Sequence, residues 1–161
     1  FGQVGNGRIT GRAEHSANMA IKGVGVDIVD IARFETKLSS NPGLLERLFA
    51  PAERASEADL KIATLAGKFA AKEAFIKAVG SGIGMNWQDV RIVKDANGKP
   101  GFELSGATAD IAVEAGIARL HLSIAHDGGM AIAYVIAEEL SSTSPHDGGA
   151  QQVESDGGAH A

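Results

Sequence analysis

The sequence predicts an α+β domain whose strands pair mostly antiparallel, with helices on one face. A period-2 strand opens the ordered part, one long helix follows it, and two hairpin signatures frame a shorter helix. That order runs strand, helices, hairpin, helix, hairpin, and the chain carries no internal repeat.

The strand is the alternation of Val24, Val26 and Ile28 with Gly23, Gly25, Asp27 and Val29. We expect the valine face in the core and Asp27 on the other face. Ile31 to Leu38 reads as a helix ended by the breaker cluster Ser39-Ser40-Asn41-Pro42-Gly43, and Leu44 to Phe49 as a further turn or two. Pro51 and Glu53 are expected to open another helix. The long helix spans Leu60 to Val79, with Ile62, Leu65, Phe69, Ile76 and Val79 at threes and fours and Gly80 as its stop. Val90 to Lys94 turns through Asn97-Gly98 toward Phe102 to Leu104. Leu120 to Ile124 turns through Asp127-Gly128-Gly129 into Met130 to Ala137, and Thr108 to Ala115 between the hairpins reads as helical.

Residues 1–20 and 141–161 lack such patterns. The first resembles a leader or appended segment with Met19 as a natural start. The second has too little apolar surface to offset the entropy of ordering and is expected to be disordered. The domain is therefore expected to be residues 21–140.

Composition narrows the chemistry. With 161 residues, 44% of them hydrophobic, the chain can bury a core without staples. It contains no cysteine, which removes disulfides, thiolate metal sites and a cysteine nucleophile. A net charge of −5 argues against a general nucleic-acid binder. No apolar run approaches the ~20 residues that span a bilayer, so the expected setting is cytoplasmic, with neither membrane nor nucleic acid as partner.

Three segments can carry a reaction. In AAKEAFIKAVGSG, Glu73, Lys77 and Gly80 fall on one helix face. That face ends at a helix C-terminus, where the dipole repels anions, so a phosphate there needs Lys77, a metal or loop N–H groups. Asp27 has glycine neighbours on its strand face, which leave room for a ligand or for close backbone approach. If Asp27 and Glu73 converge they call for a cation, and Mg²⁺ with a diphosphate satisfies both carboxylates. In LSIAHDGG, His126 stands at a glycine-rich turn, with His121 and Ser123 on the opposite face from Leu122 and Ile124. Plainer readings stand beside these: Asp27 as a helix cap, Glu73 with Lys77 as a surface pair, His121 and His126 as hairpin residues.

GVDIVDIARF, AAKEAFIKAVGSGIG and LSIAHD, in that order and spacing, resemble the three signature segments of the holo-acyl-carrier-protein synthases, and they frame residues 21–139. The resemblance implies the 4'-phosphopantetheinyl transferase fold, a mostly antiparallel sheet with a long helix packed on it. It implies Asp27 and Glu73 as Mg²⁺ ligands, and Asp27, Glu73 and Lys77 as the catalytic set. It places Lys72, Lys77, Gly80, Ser81, Gly82, Ser123 and His126 against coenzyme A. Where the family's two-lobed branch has a further acid, Val29 stands here, so water is expected to complete the metal shell. Ile76 replaces a usual small residue and Ser81 a frequent threonine. The family is homotrimeric, with active sites between subunits.

The implied reaction is attack of a carrier-protein serine on the β-phosphate of coenzyme A, with adenosine 3',5'-bisphosphate leaving. The base is Glu73 or a metal-bound water that it orients. The acidic carrier is expected to dock on Arg33, Lys37 and Arg47. Two other classes remain: a coenzyme A-binding module without transfer activity, and a carrier-interaction subunit of a larger synthase. Intact Asp27 and Glu73 count against both.

Overall fold

The computed structural model describes residues 18–141, so the expected leader up to residue 17 and the expected tail from residue 142 lie outside the described residues. Along the chain run β1 (Met19–Asp30), α1 (Ile31–Ser40), α2 (Leu44–Leu48), a 3-10 turn at Pro51–Arg54, α3 (Ile62–Val79), a second such turn at Trp87–Asp89, β2 (Val90–Lys94), β3 (Pro100–Leu104), α4 (Gly106–Glu114), β4 (Arg119–Asp127) and β5 (Met130–Leu140). Three departures from expectation are local. β1 takes in Met19 and Ala20, ahead of the expected start of the domain. Pro51 and Glu53 open only a single 3-10 turn. The long helix begins at Ile62 rather than Leu60.

Both hairpins form and every strand pair is antiparallel. β1, β5 and β4 make one sheet with β5 in the centre, while β2 and β3 make a separate ribbon. α3 lies on the three-stranded sheet. It is buried almost all round because its packing face is built from Ala66, Ala70, Ala71, Ala74 and Ala78, small residues that let the helix sit close. Gly80, at φ 88°, closes it in a left-handed cap.

The same close approach decides which face of β1 is inside, and it reverses the expectation. A Cβ on Gly25 would lie 1.8 Å from the Ala74 carbonyl oxygen, and one on Gly23 would lie 1.9 Å from that of Ala78. The glycine face therefore meets the helix backbone, with Val29 buried at its end. Val24, Val26 and Ile28 are instead 45–60% exposed on the outer face. Asp27 shares the inner, glycine face, so it is aimed toward α3.

Candidate active site

Asp27 and Glu73 line the same cavity of about 800 Å³, between β1, α1 and α3. β1 brings Asp27 there because Gly25 and Gly23 hold the strand against the helix. Glu73 reaches the cavity from the α3 face that also carries Phe69, one turn earlier. Burial pushes the Glu73 carboxyl above its ordinary range, the charge of Asp27 pushes it further, and Lys77 and Lys37 pull it partly back. Lys77 donates to Asp27 Oδ1 at 2.8 Å and to the Val26 carbonyl at 2.9 Å. The three residues of the expected catalytic set thus converge, joining strand to helix.

The plainer reading of Asp27 as a helix cap fails, because Asp30 takes that place, its Oδ1 accepting from the Arg33 amide at 2.9 Å. Val29, where the two-lobed branch has an acid, points into the core and is 8% exposed.

The expected docking residues gather round the same site. Arg33 and Lys37, one turn apart on α1, line the large cavity, and Lys37 and Arg47 line an adjoining one of about 380 Å³ with Leu44, Leu48, Phe69, Trp87 and Glu73. A stack of Phe34, Phe69 and Trp87, with ring centroids 5.1 and 5.6 Å apart, floors both. Glu73 is the acid common to the two cavities.

Lys72 does not join this cluster, contrary to expectation. It is fully buried, and its ammonium donates to Glu53 Oε2 and the Leu48 carbonyl, both at 2.7 Å, and to the Trp87 carbonyl at 2.9 Å. All three protons are used inside the fold. The Gly80-Ser81-Gly82 turn follows Lys77 at the end of α3 but lines neither of these cavities. Ser81 Oγ there accepts from the Ile83 amide at 3.3 Å, and Gly82 packs against Ile76.

His126 and Ser123 are separated from the carboxylates and from each other. Ser123 is on the outer sheet face, opposite Tyr134, beside His121, which pairs with Glu138 at 2.7 Å and behaves as a surface residue. His126 is on the inner face, where its Nε2 meets the Ala63 carbonyl at 2.8 Å. It lines a second cavity, of about 480 Å³, with Thr64, Gly67, Lys68, Lys94 and Pro100. Round α3 from Glu73, Thr64 lies about half a helical turn away and Gly67 about a third, so the helix stands between His126 and the carboxylates. One chain therefore does not assemble Asp27, Glu73, Ser123 and His126 into a single pocket.

Sequence reasoning passed over Lys68 and read Glu53 only as a residue that opens a helix. Lys68 donates to the Glu53 carbonyl at 2.7 Å and to Asp59 at 2.9 Å, holding its charge at the edge of the second cavity. The signal was available: Lys68 and Lys72 are four apart in an alanine-rich stretch whose neighbours are core residues, and lysines there need partners.

Among the described residues no group of three or more His, Cys, Asp or Glu side chains could hold a metal. No helix there is long and apolar enough to cross a membrane.

A family model described as the 4'-phosphopantetheinyl transferase superfamily matches residues 23–135. A curated protein of Clavibacter sepedonicus named holo-[acyl-carrier-protein] synthase is 51% identical over 118 residues, covering 73% of this chain and 96% of its own. The crystal structure of holo-[acyl-carrier-protein] synthase from Neisseria meningitidis is similar with a TM-score of 0.68 and 34% identity, covering 74% of this chain and all of that one. That of the Helicobacter pylori enzyme in complex with coenzyme A has a TM-score of 0.63 and 37% identity, covering 71% and 98%.

Proposed function

The chain belongs to the 4'-phosphopantetheinyl transferase superfamily, and from that premise we propose that Asp27, Glu73 and Lys77 are the residues that carry its reaction. It is an enzyme of the holo-acyl-carrier-protein synthase type, moving 4'-phosphopantetheine from coenzyme A to apo-acyl-carrier protein. The single observation that carries the residue assignment is that Asp27 and Glu73 share one cavity while the Lys77 ammonium is bonded to Asp27.

The donor set fits Mg²⁺. Burial raises the Glu73 carboxyl and the nearby charge of Asp27 raises it further, both groups offer hard oxygen, and water and diphosphate oxygens can fill the remaining positions. Asp27 and Glu73 would hold the ion, which when bound supplies charge neutralisation to the diphosphate. The chain's own groups do the rest. Lys77 draws off negative charge as the bond from the β-phosphorus to its bridging oxygen breaks and adenosine 3',5'-bisphosphate leaves with the electron pair. Serine Oγ bonds to that phosphorus, and its proton passes to Glu73, or to a water that Glu73 orients, burial having made the carboxyl a stronger base. The Gly80-Ser81-Gly82 turn offers backbone N–H groups beyond Lys77.

Arg33, Lys37 and Arg47 surround the mouth with positive charge that suits an acidic carrier, and the aromatic floor suits apolar side chains beside its serine. The product would serve fatty-acid or polyketide synthesis in the cytoplasm.

The enzyme is a homotrimer with its sites between subunits on this reading. Two observations favour it. The outer sheet face exposes Val24, Val26, Ile28, Ile132 and Tyr134, contiguous through the pairs Val26–Tyr134 and Ile28–Ile132. The cavity of His126, Lys68 and Lys94, where Asp59 pairs with Lys68 and leaves Lys94 as the unmatched charge, is cut off from the carboxylates by α3, so one subunit's carboxylates and a neighbour's basic cavity would together span one coenzyme A. Ser123, on the outer face, would then come to the joint.

Intact-mass analysis of an apo-carrier protein incubated with the enzyme, coenzyme A and Mg²⁺ tests the reading. A phosphopantetheine mass gain is expected, lost with Asp27→Ala, with Glu73→Ala and on chelation. Full transfer by either variant would sink the residue assignment.

A further inference from the structure

The Lys72–Glu53 pair is the most deeply buried charge in the described part of the molecule, and the transfer chemistry does not use it. Its side chains are 0% and 2% exposed. Glu53 accepts from the Ala50 amide through Oε2 and from the Ile92 amide through Oε1, each at 3.0 Å. The Phe49 ring centroid lies 5.0 Å from the Lys72 ammonium. Burial pulls the lysine down from its ordinary range, and its bond to Glu53 opposes that shift.

A buried ion pair is poor evidence for stability, since apolar residues of similar volume often do as well. What it provides instead is direction. An ammonium with three bonds fixes three acceptors around one point, and two of those here are backbone carbonyls from separate segments, Leu48 at the end of α2 and Trp87 in the second 3-10 turn. The side chains of Leu48 and Trp87 are walls of the cavity that Glu73 opens into. Lys72 and Glu73 are consecutive on α3, about 100° apart. One therefore fixes the walls from behind while the other faces the space between them.

We propose that Lys72, with Glu53, is a positioning residue that sets the separation of Leu48 and Trp87 in the carrier-facing cavity beside Glu73, and that it makes no contact with coenzyme A. The role rests on the transfer reading above, with Arg47 and Lys37 at the rim of that same cavity marking it as the carrier's side.

Trp87 is the only tryptophan in the chain, so its fluorescence reports on the wall directly. The test is the double variant Glu53→Leu/Lys72→Met, which removes both charges so that neither is left buried alone. Expected are a red-shifted Trp87 emission with greater acrylamide quenching, a rise of about tenfold in KM for the carrier protein, and a KM for coenzyme A within about twofold of wild type. A raised coenzyme A KM with an unchanged carrier KM would overturn the proposal by placing Lys72 in the cofactor site. Unchanged emission, quenching and carrier KM would overturn it equally. Should the double variant unfold, Glu53→Gln keeps the side-chain shape and is read the same way. Absence of transfer by the wild type would count against the transfer reading, while Trp87 quenching, read without substrate, still decides the positioning.

Discussion

The Lys77 ammonium lies 2.8 Å from Asp27 Oδ1, tying the C-terminal half of α3 to β1 at the edge of the carboxylate cavity. The lysine side chain is half exposed, so the pair adds little to folding. Lys77→Met should change stability by less than about 1 kcal/mol while lowering kcat by about 10²-fold, since charge aimed at the leaving adenosine 3',5'-bisphosphate matters in the transition state. Thermal denaturation beside single-turnover kinetics checks both halves. A large loss of stability with full turnover would reverse the assignment.

The raised Glu73 carboxyl gives a pH signature. An acid whose folded value is raised holds its proton more tightly when folded. Stability is therefore undiminished below the unfolded value, falls as pH climbs from there to the folded value, and stays reduced above it. In the presence of chelator, Glu73→Gln should be more stable than wild type at neutral pH, and the difference should fade as pH falls through that window. Mg²⁺ binding by the wild type should weaken over the same interval, because a protonated carboxyl is a poor ligand. Melting curves with and without Mg²⁺ between about pH 4 and about pH 8 give both readings.

Much of the site was legible because it depends on residues close in sequence. Glu73 and Lys77 share a helix face by spacing alone, and Arg33 and Lys37 do the same on α1. The face of β1 was misread for a physical reason. Alternation identifies two faces but not which one is covered, and size favours the valines only if the partner is a layer of side chains. Here the partner is a helix backbone, which glycines admit and valines exclude. The alanine face of α3 escaped the count of large apolar residues for the same reason. Lys72 was grouped with the carboxylates because its neighbour Glu73 faces the site, whereas helical geometry turns it toward Glu53, whose place depends on a turn that periodicity does not reveal.

Glycine contacts make a sharper test of that packing. Gly25→Ala would put a methyl 1.8 Å from the Ala74 carbonyl oxygen, so β1 must move away from α3. A loss of about 3 kcal/mol or more is expected, and Asp27, two residues on, should be displaced with it, lowering Mg²⁺ affinity. Gly101→Ala on β3 has nothing within 4 Å of its new methyl and should stay within about 0.5 kcal/mol of wild type. Denaturant titrations of the two variants compare them directly.

Charge reversal on α1 separates docking from chemistry. Arg33→Glu and Lys37→Glu should each slow association with an acidic carrier by about tenfold, with kcat at saturation within about twofold of wild type for Arg33→Glu. Lys37 also helps keep the Glu73 proton from binding, so its reversal should in addition raise the pH at which turnover falls off. Stopped-flow binding at several salt concentrations measures the first effect: the gap between wild type and variant should close as salt rises. A gap that persists at high salt would mean that the arginine does more than steer.

Sites shared between subunits make a prediction that neither parent variant can fulfil alone. Asp27→Ala removes a carboxylate from every site, and His126→Ala together with Lys68→Ala strips the basic cavity from every site. If coenzyme A spans one subunit's carboxylates and its neighbour's basic cavity, mixed oligomers contain some joints with both halves intact. Refolding the two inactive proteins together should then restore part of the wild-type turnover, up to about a quarter of the sites for random equal mixing, since each joint needs an intact half from each side. Tyr134→Glu on the exposed outer face should abolish the recovery by splitting the oligomer, with the change in size read by sedimentation. No recovery from mixed oligomers that sedimentation finds intact would mean that both halves must come from one chain, and α3 would then have to move to let them meet.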